Sequence, residues 1–178
     1  LFLGMAGVRQ IEVFDQDGIQ EHNLNRLPVP PSAIGRSKVE VLREMLISLR
    51  PDAIVLAYPL SVNNAILAGI HPEVVIDATD DMRVQLATYK FCQSNNIRYI
   101  RTGYNGGTHL TICSTVPEWD LDPLIDTHYE VVPSWIVPAA MAAALGVVKL
   151  MLDPTLDFSG DISLKRDNKV LSQNEEGG

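Results

Sequence analysis

GVRQIEVFDQDGIQEHNLNRLPVPPSAIGRSK, residues Gly7 to Lys38, places an acidic strand end, an Asn, an Arg and a Lys around one candidate nucleotide site. Gln10 to Phe14 alternates and carries β-branched and aromatic side chains where a half-buried strand needs them, so a strand is expected there, ending at Asp15. An acid at the end of the second strand of a nucleotide-binding unit can accept hydrogen bonds from both ribose hydroxyls, and Asp15 is assigned that role; a solvated turn aspartate is the alternative. Arg26 and Lys38 follow on either side of a Pro-rich loop. Arg offers forked donors and Lys a mobile point charge, which suits a triphosphate as well as it suits an ordinary charged surface. Asn23 and Asn25 add neutral donors and acceptors, or simply form the turn.

Working outward, Leu1 to Gly7 reads as the end of a helix with Gly7 as its stop. The nucleotide-binding unit is therefore expected to begin upstream of Leu1, with a strand and a Gly-rich phosphate loop. On the other side, Val39, Leu42, Met45, Leu46 and Leu49 recur at three- and four-residue steps, predicting an amphipathic helix with Ser37 as a cap and Pro51 as its close. Ala53 to Ala57 suits a buried strand, Val62 to Leu67 a short helix, Val74 to Ile76 a second buried strand, and Met82 to Ser94 a helix stopped by Asn95-Asn96. Tyr99 to Thr102 and Leu110 to Cys113 read as strands around a turn containing Gly103, Gly106 and Gly107.

This alternation predicts an α/β, Rossmann-like fold: a mainly parallel sheet flanked by helices, with ligands bound beyond the carboxyl ends of the strands. One domain is expected over residues 1–162 and a loosely structured tail over 163–178. The apolar run Trp135 to Val148 falls short of the roughly 20 residues of a membrane span and reads as a core or subunit-interface helix.

Asp77, Asp80 and Asp81 cluster at the end of the Val74 strand. A carboxylate there can share Mg²⁺ with phosphate oxygens, because this hard cation takes few protein ligands and keeps waters; Asp80 is the chosen ligand. The alternative has Asp77 capping the helix or supporting the turn, with Asp80 and Asp81 favouring the helix N-terminus electrostatically. Cys113 is a candidate nucleophile by its place after a strand, although no Lys or Arg flanks it to lower its thiol pKa. Cys92 is expected in the core. The four histidines show no metal-ligand spacing and no CxxC is present, so no zinc is expected.

Fourteen Lys and Arg against 22 Asp and Glu leave a net charge of −8, which opposes binding to nucleic acid or anionic membranes. Two cysteines without a disulfide framework fit a reducing cytoplasm.

The ordered series GVRQIEVFDQD, HNLNR, IGRSKVE and VVIDATDD, followed more loosely by RTGYNGG and AAALGVVKLML, resembles the ThiF/MoeB/HesA family, bacterial relatives of ubiquitin-activating enzymes. The resemblance spans most of the chain, from Leu3 to Leu152. It implies that Asp15 binds the ATP ribose, that Asn23, Arg26 and Lys38 surround the phosphates, and that Asp80 holds Mg²⁺ beside them. It also implies adenylation of the C-terminal carboxylate of a small ubiquitin-like or sulfur-carrier protein, generally one ending in Gly-Gly, by a homodimer. Departures from the family pattern are Leu27, where a Gln is usual, and the lack of a Cys between Val116 and Pro133 to carry a thioester. Two other readings are a catalytically silent partner subunit of the same fold and an NAD-dependent oxidoreductase using Asp15 on the cofactor ribose. The chain's own Gly177-Gly178 ending is read as coincidental, since a carrier is a small β-grasp fold.

Overall fold

The computed structural model describes residues 1–104, 109–116 and 136–161. The Gly106-Gly107 turn, the stretch 117–135 and the expected tail 163–178 lie outside the described residues. The chain opens with α1 (Phe2–Met5) and β1 (Gln10–Phe14), then crosses through α2 (Lys38–Leu49) to β2 (Ile54–Tyr58). It continues through α3 (Asn64–Ile70), β3 (Val74–Asp77), α4 (Met82–Ser94), β4 (Arg98–Tyr104), β5 (His109–Cys113), α5 (Ile136–Met151) and β6 (Phe158–Asp161).

Gly7 stops α1 as its sequence position suggests. Its φ of 96° lies in the region open to glycine, and the chain reversal lets Gly7 N–H donate to Gly4 O and Val8 N–H to Leu3 O, both at 3.1 Å. β1 then pairs in parallel with β2, from Gln10↔Ile54 to Phe14↔Tyr58, and β3 with β4, from Val74↔Arg98 to Asp77↔Arg101. In each pair a helix makes the crossover that a parallel connection requires. The hairpin and return strand β5 and β6 add antiparallel pairings, so the strands form a β1-β2 pair and a mixed β3-β4-β5-β6 sheet. β6 went unread in the sequence because FSGD contains one large apolar residue and a glycine.

Burial corrects two local expectations. β2 is not buried on both faces: Val55 is 3% exposed while Ile54 is 59% exposed, so α2 covers only one face of it. α2 itself buries Val39, Val41 and Leu46 and leaves Leu49 exposed, because Val41 turns onto a small cluster with Ile19 and Ala33 beneath the loop that precedes the helix. Ser37 occupies the capping position without making a cap bond; its buried hydroxyl has no partner among the described residues.

The larger sheet is held from both sides. Cys92, Tyr99 and Val116 pack with Val75, Met82, Leu86 and Tyr89 under α4, and Leu110, Ile112 and Ala142 with Tyr104 and Leu145 under α5. α5 approaches β4 so closely that a Cβ on Gly146 would stand 2.8 Å from Thr102 Cγ2. At the far end of α5, buried Lys149 donates to Pro154 O, Leu156 O and Asp157 Oδ1, fixing the turn into β6. No helix among the described residues is long and apolar enough to cross a membrane.

Candidate nucleotide site

The loop after β1 brings distant residues together. Asp15 N–H donates to Tyr58 O at 3.3 Å, which carries the β1-β2 ladder one step past the strand, and Asp15 Oδ1 accepts from Asp17 N–H at 2.8 Å. The loop is then stitched to the segment before α2: Ile19 N–H donates to Arg36 O, Gly35 N–H to Ile19 O and Lys38 N–H to Asp17 O. Gly35, at φ 86°, supplies the turn that makes this possible. The result is that Lys38 Nζ lies 2.8 Å from Asp17 Oδ2 and 3.7 Å from Asp15 Oδ2. All three side chains remain partly open to solvent, so the ion pairs contribute only about 0–1 kcal/mol each. Their importance is positional, since a cation is held beside the carboxylate at the strand end. Asp17 was missed in the sequence, where only its Asp-x-Asp spacing to Asp15 marked it.

The HNLNR turn is built around Asn23, which is 3% exposed. Its Oδ1 accepts from Gln20 N–H at 3.0 Å, and its backbone carbonyl accepts from Arg26 N–H and Leu27 N–H. The Asn23 side-chain carbonyl is thus spent on the turn. The half-buried Arg26 guanidinium donates to His22 O at 2.9 Å and Asn25 Oδ1 at 3.2 Å, bonds local to the same turn.

At the end of β3, the three acids divide their roles. Asp81, not Asp77, is the helix cap: its Oδ1 accepts from Arg83 N–H at 2.8 Å and Val84 N–H at 3.4 Å. Asp77 is 5% exposed and serves the turn, accepting Thr79 N–H and Thr79 Oγ1–H on Oδ1 and the Tyr99 hydroxyl on Oδ2. Asp80 is exposed between these fixed points. Among the described residues no group of three or more His, Cys, Asp or Glu could hold a metal. A single exposed carboxylate in a strand-end loop nevertheless fits Mg²⁺, which takes one or two protein carboxylates and completes its shell with phosphate oxygens and water.

An open cleft of ≈ 520 Å³ runs between the first turns of α3 and α4, lined by residues that include Val62, Asn63, Asn64, Arg83, Val84 and Thr88. These helices follow β2 and β3, and none of the residues Asp15, Arg26, Lys38 and Asp80 lines the cleft.

The two cysteines differ sharply. Burial, with a smaller contribution from the Asp77 charge, pushes the Cys92 thiol up to about 11, an environment that keeps it protonated and inert. Cys113 is half-buried on β5 and its Sγ donates to Thr115 O at 3.1 Å.

Residues 1–120 match the model of the ThiF family. The chain is 30% identical over 117 residues to a tRNA threonylcarbamoyladenosine dehydratase of Haemophilus influenzae, covering 59% of this chain and 42% of that protein. It is 23% identical over 115 residues to ubiquitin-like modifier-activating enzyme 5 of Drosophila mojavensis, covering 57% of this chain and 29% of the relative. The chain therefore spans less than half the length of either relative. Among solved structures, Escherichia coli MccB with ATP superposes with a TM-score of 0.68 at 21% identity, covering 84% of this chain and 49% of the other. Escherichia coli tRNA N6-threonylcarbamoyladenosine dehydratase with AMP superposes with a TM-score of 0.56 at 28% identity, covering 60% and 45%.

Proposed function

The chain belongs to the ThiF family, and from that premise we propose that it is the core of an adenylyltransferase of the ubiquitin-activating type, activating a carboxylate with ATP. The observation that carries this reading is the return of Lys38 to Asp15 at the carboxyl end of β1, a ribose acceptor and a phosphate cation on one loop-to-helix junction. An oxidoreductase would use the acid and have no need of the lysine.

In the proposed reaction a carboxylate oxygen attacks the α-phosphorus of ATP, the bond to the bridging oxygen breaks, and pyrophosphate leaves with that electron pair. Asp15 holds the ribose. Lys38, and Arg26 after turning from His22 O, offset charge on the transferring and leaving phosphates. Asn23 keeps the Arg26 turn in shape, and its side-chain amide is assigned to a phosphate oxygen. Mg²⁺, when bound through Asp80, supplies further charge neutralisation. No covalent step on the protein is required at this stage, so Cys113 is assigned no part in adenylation.

The activated carboxylate is proposed to be the C-terminus of a small ubiquitin-like or sulfur-carrier protein ending in Gly-Gly, and the working assembly a cytoplasmic homodimer. The similarity to a tRNA threonylcarbamoyladenosine dehydratase favours a second reading, in which the carboxylate is carried by a nucleoside of tRNA. The net charge of −8 weighs against that partner. A strand before α1 belongs to this proposal too: β1 has an open edge away from β2, and β3 one away from β4, among the described residues. One parallel strand between them would join the two sheets and bring a phosphate loop to the site.

Transfer of label from α-labelled ATP to a Gly-Gly carrier, a carrier lacking the terminal glycines and a modified tRNA tests the reading. Label on the intact carrier alone is expected. Label on the tRNA alone selects the second reading, and label on neither contradicts both.

A further inference from the structure

The loop that joins β3 to α4 is fixed on both sides of Asp80. Asp77 Oδ1 takes both the Thr79 amide at 3.0 Å and the Thr79 hydroxyl at 2.8 Å. On the other side Gln85 Nε2 donates to Thr79 O, and Asp81 is locked as the α4 cap. Thr79 is therefore gripped through its amide, hydroxyl and carbonyl, and Asp80 stands between two residues whose backbone has little freedom. The grip does not end in the loop. Asp77 Oδ2 accepts from Tyr99 Oη at 3.0 Å, and Tyr99, 5% exposed on β4, packs against Tyr89 of α4 with ring centroids 5.4 Å apart and the rings tilted by 54°.

We propose that Tyr99 and Asp77 are positioning residues that aim Asp80, through Thr79, at the Mg²⁺ of a bound metal–nucleotide complex. This inference rests on the adenylation reading given above. Tyr99 lies behind the loop and holds the Asp77 carboxylate in the orientation from which its other oxygen can grip Thr79. A buried carboxylate that loses one of its donors is left with an unpaired oxygen and rotates to find another, releasing Thr79. Asp80 then loses its fixed aim without losing its charge. The expected signature is a weaker response to Mg²⁺, with the metal-free nucleotide held as before.

The test is calorimetric titration of the intact protein with ATP, at graded Mg²⁺ and with EDTA, for the wild type and for Tyr99→Phe, Thr79→Val, Thr79→Ser and Asp80→Ala. Thr79 is exposed, so its variants keep the test open should Tyr99→Phe fail to fold. Losing a hydrogen bond to a charged group is expected to raise the Mg²⁺ concentration for half-maximal tightening about tenfold in Tyr99→Phe and Thr79→Val. Affinity in EDTA should stay unchanged, and Thr79→Ser should restore the wild-type response. A wild-type Mg²⁺ response in both Tyr99→Phe and Thr79→Val, alongside a lost response in Asp80→Ala, overturns the positioning role and leaves the adenylation reading standing. A wild type that shows no Mg²⁺ response, or an Asp80→Ala variant that keeps it, overturns both.

Discussion

Lys38 shows how little a side chain's stability contribution says about its function. Its pairs with Asp17 and Asp15 are solvent-screened, so Lys38→Met should cost no more than about 1 kcal/mol of folding free energy per pair in urea titrations. The same substitution removes the charged donor proposed to meet phosphate and should weaken ATP binding about tenfold or more by calorimetry, while unchanged affinity would remove Lys38 from the site. Cys92 and Cys113 make the opposite contrast. A thiol reagent should label Cys113 alone in the native protein and both cysteines after denaturation. Because the Cys92 thiol is raised from 9.0 to about 11, its contribution to stability is complete below pH 9.0 and is lost as the pH rises through about 11. Cys92→Ala should flatten that part of the pH–stability curve relative to the wild type; parallel curves would contradict it. The positions of Asp15 after β1, Lys38 at the start of α2 and Asp80 after β3 were legible in sequence because strand ends and charge types can be read locally. Asp17, Tyr99 and the burial of Asn23 were not, since each depends on a contact between segments that no local pattern encodes.

Elements were read more fully than residues. The α4 span Met82–Ser94 and the β1 span Gln10–Phe14 agree with their apolar patterns, because a helix or strand with one buried face advertises its period. β6 and the exposed face of β2 were hidden, the first for want of apolar residues and the second because a short run of Ile, Val and Leu looks alike whether one face is covered or both. Two substitutions test how the elements are held. Gly146→Ala forces a methyl against Thr102 and should destabilise the protein by about 1–3 kcal/mol in chemical denaturation, by parting α5 from β4. Asp81→Ala removes the α4 cap and should cost about 1 kcal/mol. If Asp81→Ala proves neutral, the start of α4 is held by its packing and not by its cap.

At the scale of the molecule, the α/β class was legible from the alternation of elements, while the separation into a parallel pair and a mixed sheet was not, since sheet membership is a long-range choice. That separation leaves the proposed nucleotide residues after two strands, Asp15 after β1 and Asp80 after β3. In the proposed complex one ligand spans the two, ribose at Asp15 and metal-bound phosphates at Asp80. We propose that this ligand is ATP and that the chemistry is carboxylate adenylation. Exchange of labelled pyrophosphate into ATP, measured on the intact protein with a Gly-Gly carrier, tests it most directly. Exchange is expected to require the carrier and to fall steeply in Lys38→Met and Asp80→Ala; robust ATP binding with no exchange in the presence of any carboxylate substrate would contradict adenylation.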